Sequence, residues 1–140
     1  MYNFRKSKKG FTLIELMVVV AIIGVLALLG LRLYTGQQEK AKNAIVKANV
    51  GTIQTLIQAE LADSTTTEVY DLWEDGTLVD DSGIHNPVDG AAQTTYPITI
   101  DASEAGEVWV SMTSDVFQIN GNDASATDTK VYTTDLKARK

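Results

Sequence analysis

No cysteine occurs among the 140 residues, so no disulfide staples the fold and stability must come from core packing. Bases are just as unevenly supplied: between Lys47 and Lys130 there is no Lys or Arg at all, while Asp63–Asp128 carries fourteen acids. A surface of that sign repels phosphate, because nucleic-acid affinity rests on Lys and Arg displacing counterions. Nucleic acid is therefore not an expected partner. His85 is the only histidine, and with no second His and no Cys to join it, a structural role is expected. No Gly-rich phosphate loop, Ser-centred elbow or HExxH occurs, so neither enzymatic activity nor a cofactor is expected. The best oxygen-rich cluster is Asn120-Gly121-Asn122-Asp123 with Asp128. It lacks the spacing of an EF-hand loop and reads as a turn, so no metal site is assigned.

What is present is concentrated at the start. Arg5, Lys6, Lys8 and Lys9 precede Gly10, and an apolar run of 21 residues follows from Phe11 to Leu31. As helix that run spans about 31 Å, enough to cross a bilayer core. Bases lie before it and acids dominate after it, so the N-terminus is expected inside the cytoplasmic membrane and the rest outside, in a single pass. A secretory signal peptide would have a shorter apolar core and a small-x-small cleavage site, for which Ala27–Gly30 is a poor candidate. A plain membrane anchor accounts for the length but not for Glu15, an ionisable group four residues into the run. A carboxylate in hydrocarbon costs on the order of a few kcal/mol and is rarely left there without a function.

The stretch Lys8-Lys9-Gly10-Phe11-Thr12-Leu13-Ile14-Glu15-Leu16 resembles the processing motif of type IV prepilins and pseudopilins, and Met17–Ala27 is similar to the helix that follows it in that family. The resemblance covers about the first 35 residues. It implies that a prepilin peptidase removes residues 1–10 by cutting between Gly10 and Phe11, and that the new α-amino group of Phe11 is methylated. It also implies that Glu15 is the acid needed for assembly. The chemistry is coherent: Gly10 offers the peptidase a backbone without a side chain in the way. Cleavage creates a cation at Phe11, one helical turn from Glu15, so Glu15 could neutralise its own N-terminus or a neighbour's. Breaking one partner of such a buried pair costs roughly 3–5 kcal/mol.

Two departures from the family pattern stand out. Where many members have a proline near the end of the apolar helix, this chain has Arg32, although Tyr34 matches. Proline would kink the helix; Arg32 can instead snorkel to the membrane surface. Gly24 and Gly30 retain some tendency to loosen, each weakening a helix by about 1 kcal/mol relative to Ala. The disulfide-closed C-terminal loop of many pilins is impossible here.

From Gln37 to Ala62 the pattern turns amphipathic. Val46, Val50, Ile53, Ile57 and Leu61 recur at spacings of four and three, opposite Lys40, Lys47, Gln54 and Gln58. One helix over Phe11–Ala62 is expected. Ser64–Thr67 reads as a turn or an N-cap cluster before a possible short helix over Glu68–Trp73, while Asp75-Gly76 and Asn86-Pro87 mark turns. Strands are expected at Tyr96–Ile100, Glu107–Met112, Val116–Ile119 and Lys130–Thr134. The predicted fold is α+β: a long N-terminal helix packed on a small antiparallel sheet. The expected domains are a leader at 1–10, a transmembrane and polymerisation helix at 11–35, and a globular head at 36–140.

The function these features imply is a structural subunit of a type IV pilus, exported from the membrane into an extracellular filament. Its partners would be further copies of itself, the prepilin peptidase, the inner-membrane pilus assembly machinery and minor pilins. A pseudopilin of a type II secretion or competence system shares the same N-terminal motif. A reading of another class is a membrane-anchored binding module or adhesin, with Trp73, Trp109 and Tyr96 as its aromatic platforms.

Overall fold

The computed structural model describes residues 10–99, 103–125 and 129–138. The chain divides into two compact units, one up to Gln37 and one from Gln38 onward. Helix α1 (Leu13–Glu60) contributes to both; its ends fall within two residues of those expected from the sequence.

In the first unit α1 is uninterrupted through Gly24, Gly30 and Arg32. Its large apolar side chains are all exposed: Val19, at 47% of its surface, is the least so, and Leu13, at 76%, the most.

The second unit is built around the amphipathic part of α1. Val46, Val50, Ile53 and Ile57 are fully buried, the helical stripe that the periodicity predicts. Three of them, Val50, Ile53 and Ile57, join one core with Val69 and Trp73 of α2 (Thr66–Glu74) and Leu78 and Val79 of α3 (Thr77–Ser82). The sheet adds Val108 and Val110 of β1 (Val108–Thr113) and Phe117 and Ile119 of β2 (Val116–Asn122). Burying each such side chain contributes roughly 1.5–3 kcal/mol. The sheet is antiparallel in the order β1-β2-β3, with β3 at Lys130–Lys137. Ser114 and Asp115 join β1 to β2 with φ of 53° and 62°, the mirror-image turn whose twist suits a two-residue hairpin.

Thr65 caps α2 through a capping box with Glu68, so of the two readings of the Ser64–Thr67 cluster the N-cap is the one observed. Helix α3 was not expected, because Asp75-Gly76 reads as a turn; Gly76, at φ 89°, is the N-cap from which the second short helix leaves. The segment expected as a strand over Tyr96–Ile100 forms no ladder between 96 and 99, and Ile100 lies outside the described residues. Pro97 has no N–H to give a ladder, and its carbonyl instead accepts bonds from Val110 N–H and the Trp73 indole. The cluster Asn120-Gly121-Asn122 is strand, not turn. Asn120 donates to Gln118 O and accepts from Thr133 Oγ1, and Asn122 accepts from the Trp109 indole and donates to Ser103 Oγ. Satisfied in this way, two asparagines tolerate full burial.

Candidate functional site

Gly10, Phe11 and Glu15 lie together at the start of α1. Gly10 and Phe11 precede the helix and are exposed, Phe11 by 83%. The sequence reading started the helix at Phe11; here Thr12 stands before its first residue, Leu13, and takes the N-cap position. Glu15 is then the third residue of the helix, and T-x-x-E is the spacing of a capping box. The geometry is that of one. Glu15 Oε2 accepts from the Thr12 N–H at 2.9 Å and from Thr12 Oγ1 at 2.7 Å, while Thr12 Oγ1 accepts from the Glu15 N–H at 3.3 Å.

Helix starts leave N–H groups without intrahelical partners, and an apolar surrounding makes each of them costly. The carboxylate answers part of that demand. Its second oxygen, Oε1, has no partner among the described residues. Thr12 is the residue that the sequence reading passed over, although the Thr12–Glu15 spacing was the signal for it. The same device recurs at Thr65–Glu68, where Glu68 Oε2 accepts from Thr65 N at 2.8 Å.

The exposed apolar surface around this end is far larger than scattered single residues would give. Phe11, Ile14, Val18 and Val19 line a shallow apolar groove beside Glu15. Contiguous apolar surface of this extent calls for lipid or a protein partner, and the helix is long and apolar enough to cross a membrane. Arg32 is exposed beyond the apolar run, and its carbonyl accepts from Thr35 Oγ1 at 3.1 Å.

A family model described as the prokaryotic N-terminal methylation motif matches residues 5–31. The type IV major fimbrial protein FimA of Dichelobacter nodosus is 32% identical over 111 residues, covering 72% of this chain and 69% of that protein. The chain belongs to the type IV pilin family. Its similarity extends to a fimbrial protein of Pseudomonas aeruginosa, 36% identical over 87 residues and 56% of each chain. A type IV major alpha-pilin of Moraxella bovis is 40% identical over 60 residues, 43% of this chain and 38% of that protein. No solved structure matches it. As a pilin the chain is a structural subunit of a type IV pilus, and the pseudopilin and adhesin readings are not favoured.

The other residues singled out in the sequence fit a structural subunit. Trp73 is fully buried and Trp109 is 5% exposed, so neither ring is a platform for a ligand. His85 is exposed, with Nδ1 2.8 Å from Gly83 O. Asp128 lies outside the described residues, and among those described no three His, Cys, Asp or Glu gather to hold a metal. Asp123 instead organises its loop. Its carboxyl is held below the usual aspartate range by the Ser125 hydroxyl and N–H, with a smaller contribution from Asn43 of α1.

Proposed function

We propose that this pilin is made as a precursor whose residues 1–10 are removed by a prepilin peptidase between Gly10 and Phe11. Phe11 then becomes an N-methylated terminus, and Glu15 receives the N-terminal cation of a neighbouring subunit during assembly. The observation that carries this reading is the state of the Glu15 carboxylate. One oxygen closes the helix cap with Thr12, and the other has no partner among the described residues, on a stretch of α1 whose large apolar side chains are all exposed. The cap keeps the carboxylate oriented and lowers the number of unsatisfied groups that enter hydrocarbon. The open oxygen gives an incoming cation a charge-assisted partner in a medium where such a bond is strong.

Before assembly the chain spans the cytoplasmic membrane once, with Arg5, Lys6, Lys8 and Lys9 inside. The assembly machinery of the inner membrane then passes it, with minor pilins, into the extracellular filament. Mass spectrometry of material sheared from cells tests the processing step. The expected product begins at a methylated Phe11; a mature chain beginning at another residue would overturn the proposal.

A further inference from the structure

A carboxylate, an amide and an amine meet in one row across the three strands. Asn122 pairs with Lys130 between β2 and β3. On its other side the Asn122 N–H donates to Glu107 O at 2.9 Å, so Glu107 stands opposite Asn122 just beyond the last β1–β2 pair, Val108 and Gly121. Side chains alternate between the faces of a sheet. Val108 and Gly121 face the core and α1, which puts Trp109 and Asn122 on the other face.

Side-chain contacts tie the row together. The Trp109 indole N–H donates to Asn122 Oδ1 at 3.1 Å, and Lys130 Nζ rests over the same ring, 4.5 Å from its centre. Asn122 Nδ2 donates to Ser103 Oγ at 2.6 Å and to Glu104 O at 3.2 Å. The N–H of that same Glu104 donates to Glu107 Oε2 at 2.7 Å, while Thr95 Oγ1 donates to Glu107 Oε1. One residue's backbone thus holds the amide and the carboxylate side by side. Asn122, Trp109 and Glu107 are all buried. Neither Glu107 nor Lys130 has an ion-pair partner among the described residues, and a buried carboxylate without a counter-charge is costly to keep.

We propose that Lys130 and Asn122 condense into an amide, a covalent cross-link between β2 and β3, with Glu107 as the base. Lys130 Nζ gives a proton to the Glu107 carboxylate and attacks Asn122 Cγ. The Nζ–Cγ bond forms, the Cγ–Nδ2 bond breaks, and Glu107 passes the proton to the leaving nitrogen. A lysine ammonium and an asparagine amide become a secondary amide and an ammonium ion, so atoms and charge balance without an oxidant. Each neighbour has a part. A lysine amine is a nucleophile once a base or desolvation removes its proton. The indole N–H donates to the oxygen on which charge develops as Cγ becomes tetrahedral. Cross-strand pairing keeps amine and carbonyl together in place of a diffusional encounter. A chain without cysteine gains by this route the loop closure that a disulfide supplies elsewhere. The reaction lies within one subunit and does not depend on assembly.

The intact mass of the full chain, purified from membranes in detergent, is the direct test. The main species should weigh one ammonia less than its processed sequence requires. Trypsin then locates the loss. No Lys or Arg lies between Lys47 and Lys130, so an unlinked chain is cut after Lys130. The linked chain resists there and gives one peptide, Ala48–Lys137, short of one ammonia. Cutting that peptide at Asp123 or Asp128 should leave its two halves joined. Lys130→Arg keeps a cation over Trp109 but stays protonated, and Glu107→Gln keeps an acceptor oxygen but takes no proton. Both variants should show the full mass, with the circular dichroism of the native chain. A native chain of full mass that trypsin cuts after Lys130 would overturn the proposal. So would an ammonia loss that leaves Lys130 cleavable, which marks a succinimide at Asn120-Gly121, or a loss that survives in Lys130→Arg. A cross-link that still forms in Glu107→Gln would overturn the role of Glu107 as base.

Discussion

Gly121 of β2 faces Val46 of α1 so closely that a Cβ at 121 would overlap the valine Cγ1, and it would stand 3.0 Å from Val50 Cγ2. The middle strand therefore lies directly against the spine helix at this point. The close approach also explains why a residue read as part of a turn is found inside a strand: glycine serves here for the space it leaves.

Gly121→Ala is expected to destabilise the head by about 1–3 kcal/mol through overpacking. Val46→Ala in the same chain should recover part of the loss, because the clash goes with the valine methyl groups. Thermal unfolding of detergent-solubilised protein measures both. Additive losses in the double variant would show that the two residues are not coupled.

How much of this was legible depended on whether the signal was local. The run from Phe11 to Leu31 and the stripe from Val46 to Ile57 are periodic, and they gave α1 to within two residues at each end. The strands beginning near Glu107, Val116 and Lys130 were legible from alternation, although β2 and β3 run three residues further than expected. What escaped depends on distant partners. Asn120 and Asn122 look like turn residues until Thr133, Trp109 and Ser103 are beside them. Tyr96–Ile100 has strand composition, but Pro97 can only accept, and Gln93 provides the pairing to Val108 that a strand would have made. At the candidate site Gly10, Phe11 and Glu15 were singled out by the family motif, and the structure places them at the start of α1. The Thr12 hydroxyl was missed because Glu15 was weighed only as a charge and not as the far end of a cap.

Glu15 can be separated into its two roles by choice of substitution. Gln suits the third position of a capping box as Glu does, so Glu15→Gln keeps the cap and removes the charge, while Glu15→Val removes both. Both variants should insert in the membrane at least as well as the native chain. If charge pairing drives assembly, both should lose filaments by a hundredfold or more, the scale of a broken buried pair of roughly 3–5 kcal/mol. Normal filaments from Glu15→Gln would reject charge pairing and leave the cap as the reason for a glutamate.

Thr12→Val tests the cap with the charge left in place. Losing an N-cap hydroxyl costs about 0.5–2 kcal/mol, felt at the first turn. Amide exchange at Glu15, whose N–H bonds the Thr12 hydroxyl, and at Leu16, whose N–H bonds the Thr12 carbonyl, should speed up by roughly two- to thirtyfold, and Thr12→Ser should restore the native rate. Unchanged exchange in Thr12→Val would mean that the Thr12 hydroxyl contributes nothing to the helix start.

Acid should weaken the head in a defined window. The carboxyls of Asp123, held down by Ser125, and of Glu68, held down first by the Thr65 N–H and then by its hydroxyl, both titrate below their ordinary values. Depressed folded values mean that the stabilisation is fully present above the ordinary carboxyl range, near pH 4, and is lost as pH falls through the lower folded values. Melting temperature should therefore be level from about pH 8 to 5.5 in this respect and fall below about pH 4. Asp123→Asn keeps an oxygen acceptor for Ser125 and should make that fall shallower. A variant that declines as steeply as the native protein would remove Asp123 from the account.

The division of labour along α1 is open to one decisive experiment. Every buried apolar side chain of the head core comes from Val46 or later, and the exposed apolar surface of α1 is concentrated before Gly36. The loop latch formed when Asn43 Oδ1 accepts from the Ala124 N–H at 2.9 Å also lies beyond that point. Removing residues 1–35 should therefore leave a fragment, Gly36–Lys140, that keeps its whole core. It has 105 residues, with seven bases against seventeen acids. That length supports a single core without disulfides, and the net negative charge opposes self-association at low salt. The fragment should be a soluble monomer with mixed helical and sheet circular dichroism, a cooperative thermal transition and no filaments, because the apolar helix proposed to drive polymerisation is gone. An unfolded fragment would place the boundary too late in the chain. A fragment that still polymerises would place the driving force in the head.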